Sequence, residues 1–249
     1  MADIQVVTLD LWQTLVLDTR EWGRERTRIR IEDTVAALRQ AGEEFTEEQV
    51  REAFRAGYRQ CREIHRQGLD VSFKEQVQMF VRQIAPGLLE RLSRETFAVI
   101  LNRYADAFYD SPPMIPEGVE ETLYGLTQKG YRLAVISNTG MTPGRTFRAY
   151  FDEQGLSQYF EHCTFSDEVL MTKPNRHIFM HTLLSMGCTS TVAVHVGDHL
   201  LNDIKGASDM GMRSVWLEGF DDSKLDVTPT ATIKKLAELP ATLEQLKRV

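Results

Sequence analysis

The chain divides by the rhythm of its apolar positions. Ile4, Val6, Val7 and Leu9 form a short, nearly continuous apolar run that stops at Asp10. Such a run predicts a strand buried on both faces of a parallel sheet. A carboxylate at its end is costly to bury unless it is paired, metal-bound or put to use. Taken alone, Asp10 reads as a turn or cap aspartate. From Thr19 to about Tyr104 the strand-like runs vanish and helical spacing takes over. Val35, Leu38 and Ala41 suit one helix face, and Val50, Ala53, Phe54 and Gly57 another. Thr46 to Gln49 reads as a capping box opening that second helix. Val77, Phe80, Val81 and Ile84 predict a third helix, ended by Pro86-Gly87, and a fourth runs from about Ser93 to Phe108.

After Pro116 the pattern alternates. Helices are expected over 117–129, from Thr142, after Lys173-Pro174 and around Asp203, where Gly206-Ala207 would allow close packing on the sheet. Strands are expected over 131–136, 162–165, 191–196 and 212–217, with a short edge strand and a surface helix within 231–249. Alternating strands and helices imply an α/β fold, a Rossmann-like doubly wound parallel sheet. Residues 1–18 and 105–249 would form that core, and 19–104 an inserted all-helical cap, with linkers near Asp18 and Ser111-Pro112-Pro113.

Charge changes the picture in one place. Between Asp18 and Arg103 there are 15 Arg and one Lys (Lys74) against 15 acidic residues, whereas the remainder carries 13 basic and 21 acidic. A salt-bridged helix surface accounts for most of this. One or two arginines facing the site could hold an anionic substrate, and Arg20, Arg24 and Arg28 are best placed for it. The net charge of −7 argues against nucleic-acid binding by general phosphate attraction. No apolar run approaches a membrane span, and Met1-Ala2-Asp3 leads straight into the first strand without a signal peptide. The three cysteines, Cys61, Cys163 and Cys188, lack metal-ligand spacing and suit a reducing cytoplasm. Monomer and homodimer are both open.

In doubly wound sheets, ligands bind outside the carboxyl ends of the strands. Asp10, Ser137 and Asp198 end expected strands, and Lys173 begins a helix that follows one. Their convergence on one rim lifts Asp10 from cap to candidate site residue. Asp10, Asp198 and Asp203 make a hard oxygen cluster suited to Mg²⁺ rather than zinc. Glu168 is a weaker candidate. Lys173 would neutralise crowded carboxylates, and Ser137 and Asn138 would donate hydrogen bonds to an anion. The natural reaction is phosphoryl transfer through an aspartyl phosphate on Asp10.

Four motifs now stand in order: Asp10-Leu11-Trp12-Gln13-Thr14-Leu15, Ser137-Asn138, Lys173-Pro174 preceded by Phe165 to Val169, and Gly197-Asp198 with Asp203. Together with the helical insert they resemble the haloacid dehalogenase-like hydrolase superfamily across essentially the whole chain. The resemblance implies Asp10 as nucleophile. It implies Mg²⁺ held by Asp10, the Trp12 main-chain carbonyl and Asp198, with Asp203 in support. It also implies Ser137 and Lys173 on a phosphoryl group, and Thr14 fixing the loop.

One position departs. Phosphatases of this superfamily carry a second Asp two residues after the nucleophile, which protonates the leaving group; here Trp12 stands there, and indole has no proton to trade. Family dehalogenases also have an aromatic residue there and dispense with metal, but they lack the Gly-Asp kept here as Gly197-Asp198. The expectation is a Mg²⁺-dependent phosphohydrolase acting on a small phosphorylated substrate. It would have a good leaving group, such as an acyl phosphate, or an acid borrowed from elsewhere, for which His199 is a candidate and His195 also flanks the motif. A 2-haloacid dehalogenase is the alternative. A non-catalytic phosphate-binding protein is another, and carbon–phosphorus hydrolysis through Lys74 a remote one.

Overall fold

The computed structural model describes residues 3–247, so Met1-Ala2 and the end of the expected C-terminal helix lie outside the described residues. Six parallel strands form one sheet in the order β3-β2-β1-β4-β5-β6. These are β1 (Val6–Leu9), β2 (Arg132–Ser137), β3 (Phe160–Phe165), β4 (Ala193–Gly197), β5 (Arg213–Leu217) and β6 (Ala231–Ile233). The chain winds outward from β1 to β3 and then returns to place β4 on the other side of β1. This switch point parts the loops that follow β1 and β4 and opens a crevice at their carboxyl ends.

Every residue of β1 and β4 is buried. Val7, Leu9, Leu133 and Val135 face a layer made by α6 (Val119–Gln128), α7 (Gly144–Glu153) and α11 (Leu239–Leu246). Val6, Ala134 and Ile136 face the opposite layer, α9 (Arg176–Ser185) and the short α10 (Gly206–Asp209). Coverage on both faces is why these strands read as unbroken apolar runs.

Between β1 and α6 lie α1 (Arg20–Gln40), α2 (Glu47–Arg66), α3 (Phe73–Ile84), α4 (Leu88–Arg91) and α5 (Arg94–Asp110). Thr19 caps α1, and Thr46 with Gln49 forms the expected capping box of α2. The four-residue α4 sits where only a break was expected; a second short helix, α8 (Ser166–Val169), follows β3. These helices have their own apolar cluster, with Phe54, Phe80 and Tyr104 packed ring to ring. Along α5 the packing changes partners: Ile100, Tyr104 and Ala105 belong to the helical cluster, whereas Phe108 packs in the sheet's cluster against Phe147 and Tyr150. The two chain crossings are paired, Leu17 N donating to Met114 O (2.7 Å) and Met114 N to Leu17 O (2.9 Å). No helix is long and apolar enough to cross a membrane.

Candidate active site

β1 delivers Asp10 to the crevice, and the Asp10 amide is tied to Val196 O of β4 at 2.8 Å. The next turn is tight: Val16 N and Leu15 N both donate to Leu11 O, and Gln13 takes a left-handed φ of 59°. Beside it, β4 ends in Gly197-Asp198, and Leu200–Lys205 forms a π-helical stretch carrying Asp203. Wide helical turns of this kind often mark functional sites. Here the turn brings Asp203 back under β4, where its Oδ2 accepts from the His199 amide at 3.0 Å. Gly197 is obligatory for this approach, because a Cβ there would lie 2.3 Å from Asp203 Cγ. Gly206 also allows close packing, though against Phe179 and Pro174 rather than the sheet itself.

Lys173 closes the cluster. Its Nζ donates to Asp10 Oδ1 at 2.5 Å and to Asp203 Oδ1 at 2.6 Å, and all three side chains are buried. Asp10, Asp198 and Asp203 offer one carboxylate oxygen each, all within 4.8 Å of one another. Three carboxylates therefore share one ammonium. Burial, then the charges of Asp10 and Asp203, push Asp198 up to about 8. Burial lifts Asp10 to about 6, against the opposing pull of Lys173. Asp203 goes the other way: burial opposes ionisation, but Lys173 and the His195 hydrogen bond hold it well below the usual carboxylate range. Lys173 itself is raised, its two carboxylate partners outweighing its burial.

The other candidates fall into place unevenly. Ser137 is fully buried at the end of β2, and its Oγ makes only a long 3.4 Å contact to Asn138 O. Asn138 spends its amide on Lys173: Oδ1 accepts from the Lys173 amide (2.7 Å) and Nδ2 donates to the Lys173 carbonyl (3.0 Å). Its observed work is thus to position the lysine. Thr14 is buried, with Oγ1 lacking a hydrogen-bond partner among the described residues. Trp12 is half-buried, edge-on to Phe147 at 5.1 Å, with the Arg26 guanidinium 5.9 Å above its ring. It lines a cavity of about 380 Å³ with Arg30 and Met141.

His199 caps the π-helical stretch, its Nδ1 accepting from Leu201 N and lying 3.3 Å from Asp221. Glu168 pairs with Arg148 on an exposed face, and Arg28 pairs with Glu25 and Glu32. Arg20 and Arg24 line a different surface groove, beside Arg51 and Arg55. Lys74 is exposed on α3.

One buried residue was treated in the sequence only as a neighbour of the motif. His195 has no exposed surface; its Nε2 lies 3.1 Å from Asp203 Oδ1 and its Nδ1 2.8 Å from Thr8 Oγ1. Burial holds its pKa down, and a neutral ring donates Nε2–H to Asp203 while Nδ1 lies within hydrogen-bond distance of the Thr8 hydroxyl, which also reaches Val194 O. An imidazole inside a strand that is buried throughout was the available signal.

Residues 33–217 match the family model described as haloacid dehalogenase-like hydrolase. The chain belongs to the haloacid dehalogenase-like hydrolases. The matched region begins after the Asp10 turn, so that turn rests on the geometry above. The chain is 27% identical to the haloacid dehalogenase-like hydrolase domain-containing protein 3 of Danio rerio, over 97% of each chain. It is 35% identical to a glyceraldehyde 3-phosphate phosphatase of Methanothermobacter thermautotrophicus, over 47% of this chain and 55% of that one. This hydrolase thus spans about half the length of that relative. Among solved structures, a 2-haloacid dehalogenase from Pseudomonas syringae superposes with a TM-score of 0.70 at 25% identity, covering 98% of this chain and 99% of that one.

Proposed function

We propose that this hydrolase is a Mg²⁺-dependent phosphohydrolase working through an aspartyl phosphate on Asp10, on small phosphorylated substrates with good leaving groups. The observation that carries this reading is the trio of carboxylates around one lysine. Displacement at carbon needs one ionised carboxylate; two more beside it only repel. The surplus negative charge and the all-oxygen donor set fit a hard divalent cation. Asp10, Asp198 and the Trp12 main-chain carbonyl would hold it, with Asp203 in support. When bound, Mg²⁺ would neutralise phosphoryl oxygens.

The chain's own residues do the rest. Lys173 keeps Asp10 and Asp203 charged in spite of burial. An Asp10 oxygen attacks phosphorus, the bond to the leaving oxygen breaks, and the leaving group departs with the electron pair. Ser137 Oγ, without a strong partner of its own, and Lys173 receive the transferring oxygens. Water then attacks phosphorus, and Asp10 is restored as carboxylate with release of phosphate. Trp12 offers no proton to the departing oxygen. Acyl and aryl phosphates, whose leaving groups need none, should therefore turn over fastest. The sequence relation to a glyceraldehyde 3-phosphate phosphatase supports phosphate-ester chemistry in general.

The test is phosphate release from acetyl phosphate and an aryl phosphate, with Mg²⁺ and with EDTA, in wild type and Asp10→Asn. The expected result is Mg²⁺-dependent release that falls by about 10³ or more in the variant. Trp12 and the likeness to a dehalogenase structure favour one second reading, hydrolytic carbon–halogen cleavage. Release of halide from 2-chloropropionate without metal, with no phosphate release, would replace the first reading with it.

A further inference from the structure

A cleft of about 910 Å³ lies between the C-terminal turns of α2 and the segment that follows β4. Lys173 and Asn138 line its floor, and Tyr58 lines both this cleft and the cavity beside Trp12, so the cleft borders the reaction centre. Arg62, His65 and Arg66 line one wall, and His199 the other. Among the described residues, no Asp or Glu lines it, in a protein of net charge −7.

The position of each cation bears on what the cleft can hold. His65 and Arg66 stand in the last turn of α2, where the helix dipole alone would favour cations. Arg62 lies a turn earlier, while Lys173 and His199 belong to other elements, so the dipole does not account for the set. Lys173 is already committed to Asp10 and Asp203. Arg66 has one partner, Glu63, in an exposed pair that water screens and a ligand can displace. Arg62 has no ion pair among the described residues. His65 is held in place by Asp70, whose side chain is fully buried behind it (2.8 Å).

We infer that this cleft receives the leaving-group portion of the substrate, and that Arg62 and Arg66 select leaving groups bearing a second negative charge, such as a carboxylate. The inference rests on the phosphohydrolase reading above. A guanidinium presents paired donors that match a carboxylate. The arginines expected to do this from sequence, Arg20, Arg24 and Arg28, face elsewhere.

The test compares 4-carboxyphenyl phosphate with 4-carbamoylphenyl phosphate, nearly equal in shape but different in charge. Calorimetric binding to the Asp10→Asn protein with Mg²⁺ reads the preference without turnover. The carboxylate should bind about tenfold more tightly, the scale of one charge-assisted contact. Adding Arg62→Met and Arg66→Met should bring the ratio to about one, whereas Arg62→Lys with Arg66→Lys should keep most of it. A ratio near one before the arginines are changed, a ratio that survives the Met pair, or no binding of either compound overturns the inference. Hydrolysis by the wild-type protein is scored separately. Absence of phosphate release counts against the phosphohydrolase reading alone, while the binding ratio still decides the cleft.

Discussion

Replacing Asp198 by Asn should stabilise the metal-free protein. The side chain keeps its shape and no longer needs a proton to stay neutral beside Asp10 and Asp203. Burial and those two neighbours raise the Asp198 carboxyl from its ordinary 3.8 to about 8. At pH 7 the folded form therefore keeps a proton that the unfolded chain releases. Across the roughly three pH units between 3.8 and 7 this opposes folding by up to ~4 kcal/mol. The group is partly open to solvent, and about half of that, ~2 kcal/mol, is the figure to expect after screening. For a chain of 249 residues this corresponds to a melting temperature higher by about 4–8 °C.

The sign with pH follows from the direction of the shift. A carboxyl whose folded pKa is raised binds more protons in the folded state, so stability falls as pH rises from about 4 to about 8 and is level above. The advantage of Asp198→Asn should shrink towards pH 4 and be greatest near pH 8. Thermal melts in EDTA across that range measure it. Mg²⁺ should raise the wild-type midpoint, more at pH 8 than at pH 5.5, and barely move the variant. A variant less stable than wild type at pH 7 in EDTA, or a gain that does not change with pH, would refute the reasoning.

Two further substitutions probe the same rim. Trp12→Asp should supply a proton donor, raising the rate on an alkyl phosphate relative to acetyl phosphate by about 10². An unchanged ratio would show that the leaving group is protonated by some other route or needs no proton. Gly197→Ala would place a methyl 2.3 Å from Asp203 Cγ. It should cost about 1–3 kcal/mol in denaturant unfolding and weaken the melting response to Mg²⁺. An unaltered Mg²⁺ response would mean that Asp203 does not need its observed position.

Much of this arrangement was legible in the chain because its causes are local. Strands buried on both faces announce themselves as apolar runs, and the polar residues that interrupt them, Asp10, Ser137 and Asp198, stand where the sheet ends. Lys173 was readable for the same reason, as a cation at a strand-to-helix connection. The two short helices α4 and α8 were not, since four residues show no period. Nor were the arginines that face the cleft. Every fourth residue of a charged helix looks alike until packing decides which stripe is inward. In α2, Val50, Ala53, Phe54, Gly57 and Cys61 are buried, and that leaves Arg62 and Arg66 beside the crevice. Asn138 was legible as a rim residue but not in its work, because its partner is a main chain 35 positions away.

The turn after α2 also touches the segment that follows α8. Asp70 N donates to Leu170 O (3.0 Å), Thr172 N to Gly68 O (3.2 Å), and Asn175 Nδ2 to the same Gly68 oxygen (2.9 Å). Gly68 has a φ of +73° and a Cβ there would press on Asn175, so the contact is shaped for glycine. The Leu17–Met114 pairing and the Gly68 turn are thus two separate fastenings between the helical segment and the sheet-bearing part of the chain. Three hydrogen bonds worth about 1 kcal/mol each, net of water, contribute ~3 kcal/mol to the second of these. Its partners Leu170, Thr172 and Asn175 flank Lys173 on both sides, so the turn braces the segment whose ammonium touches Asp10.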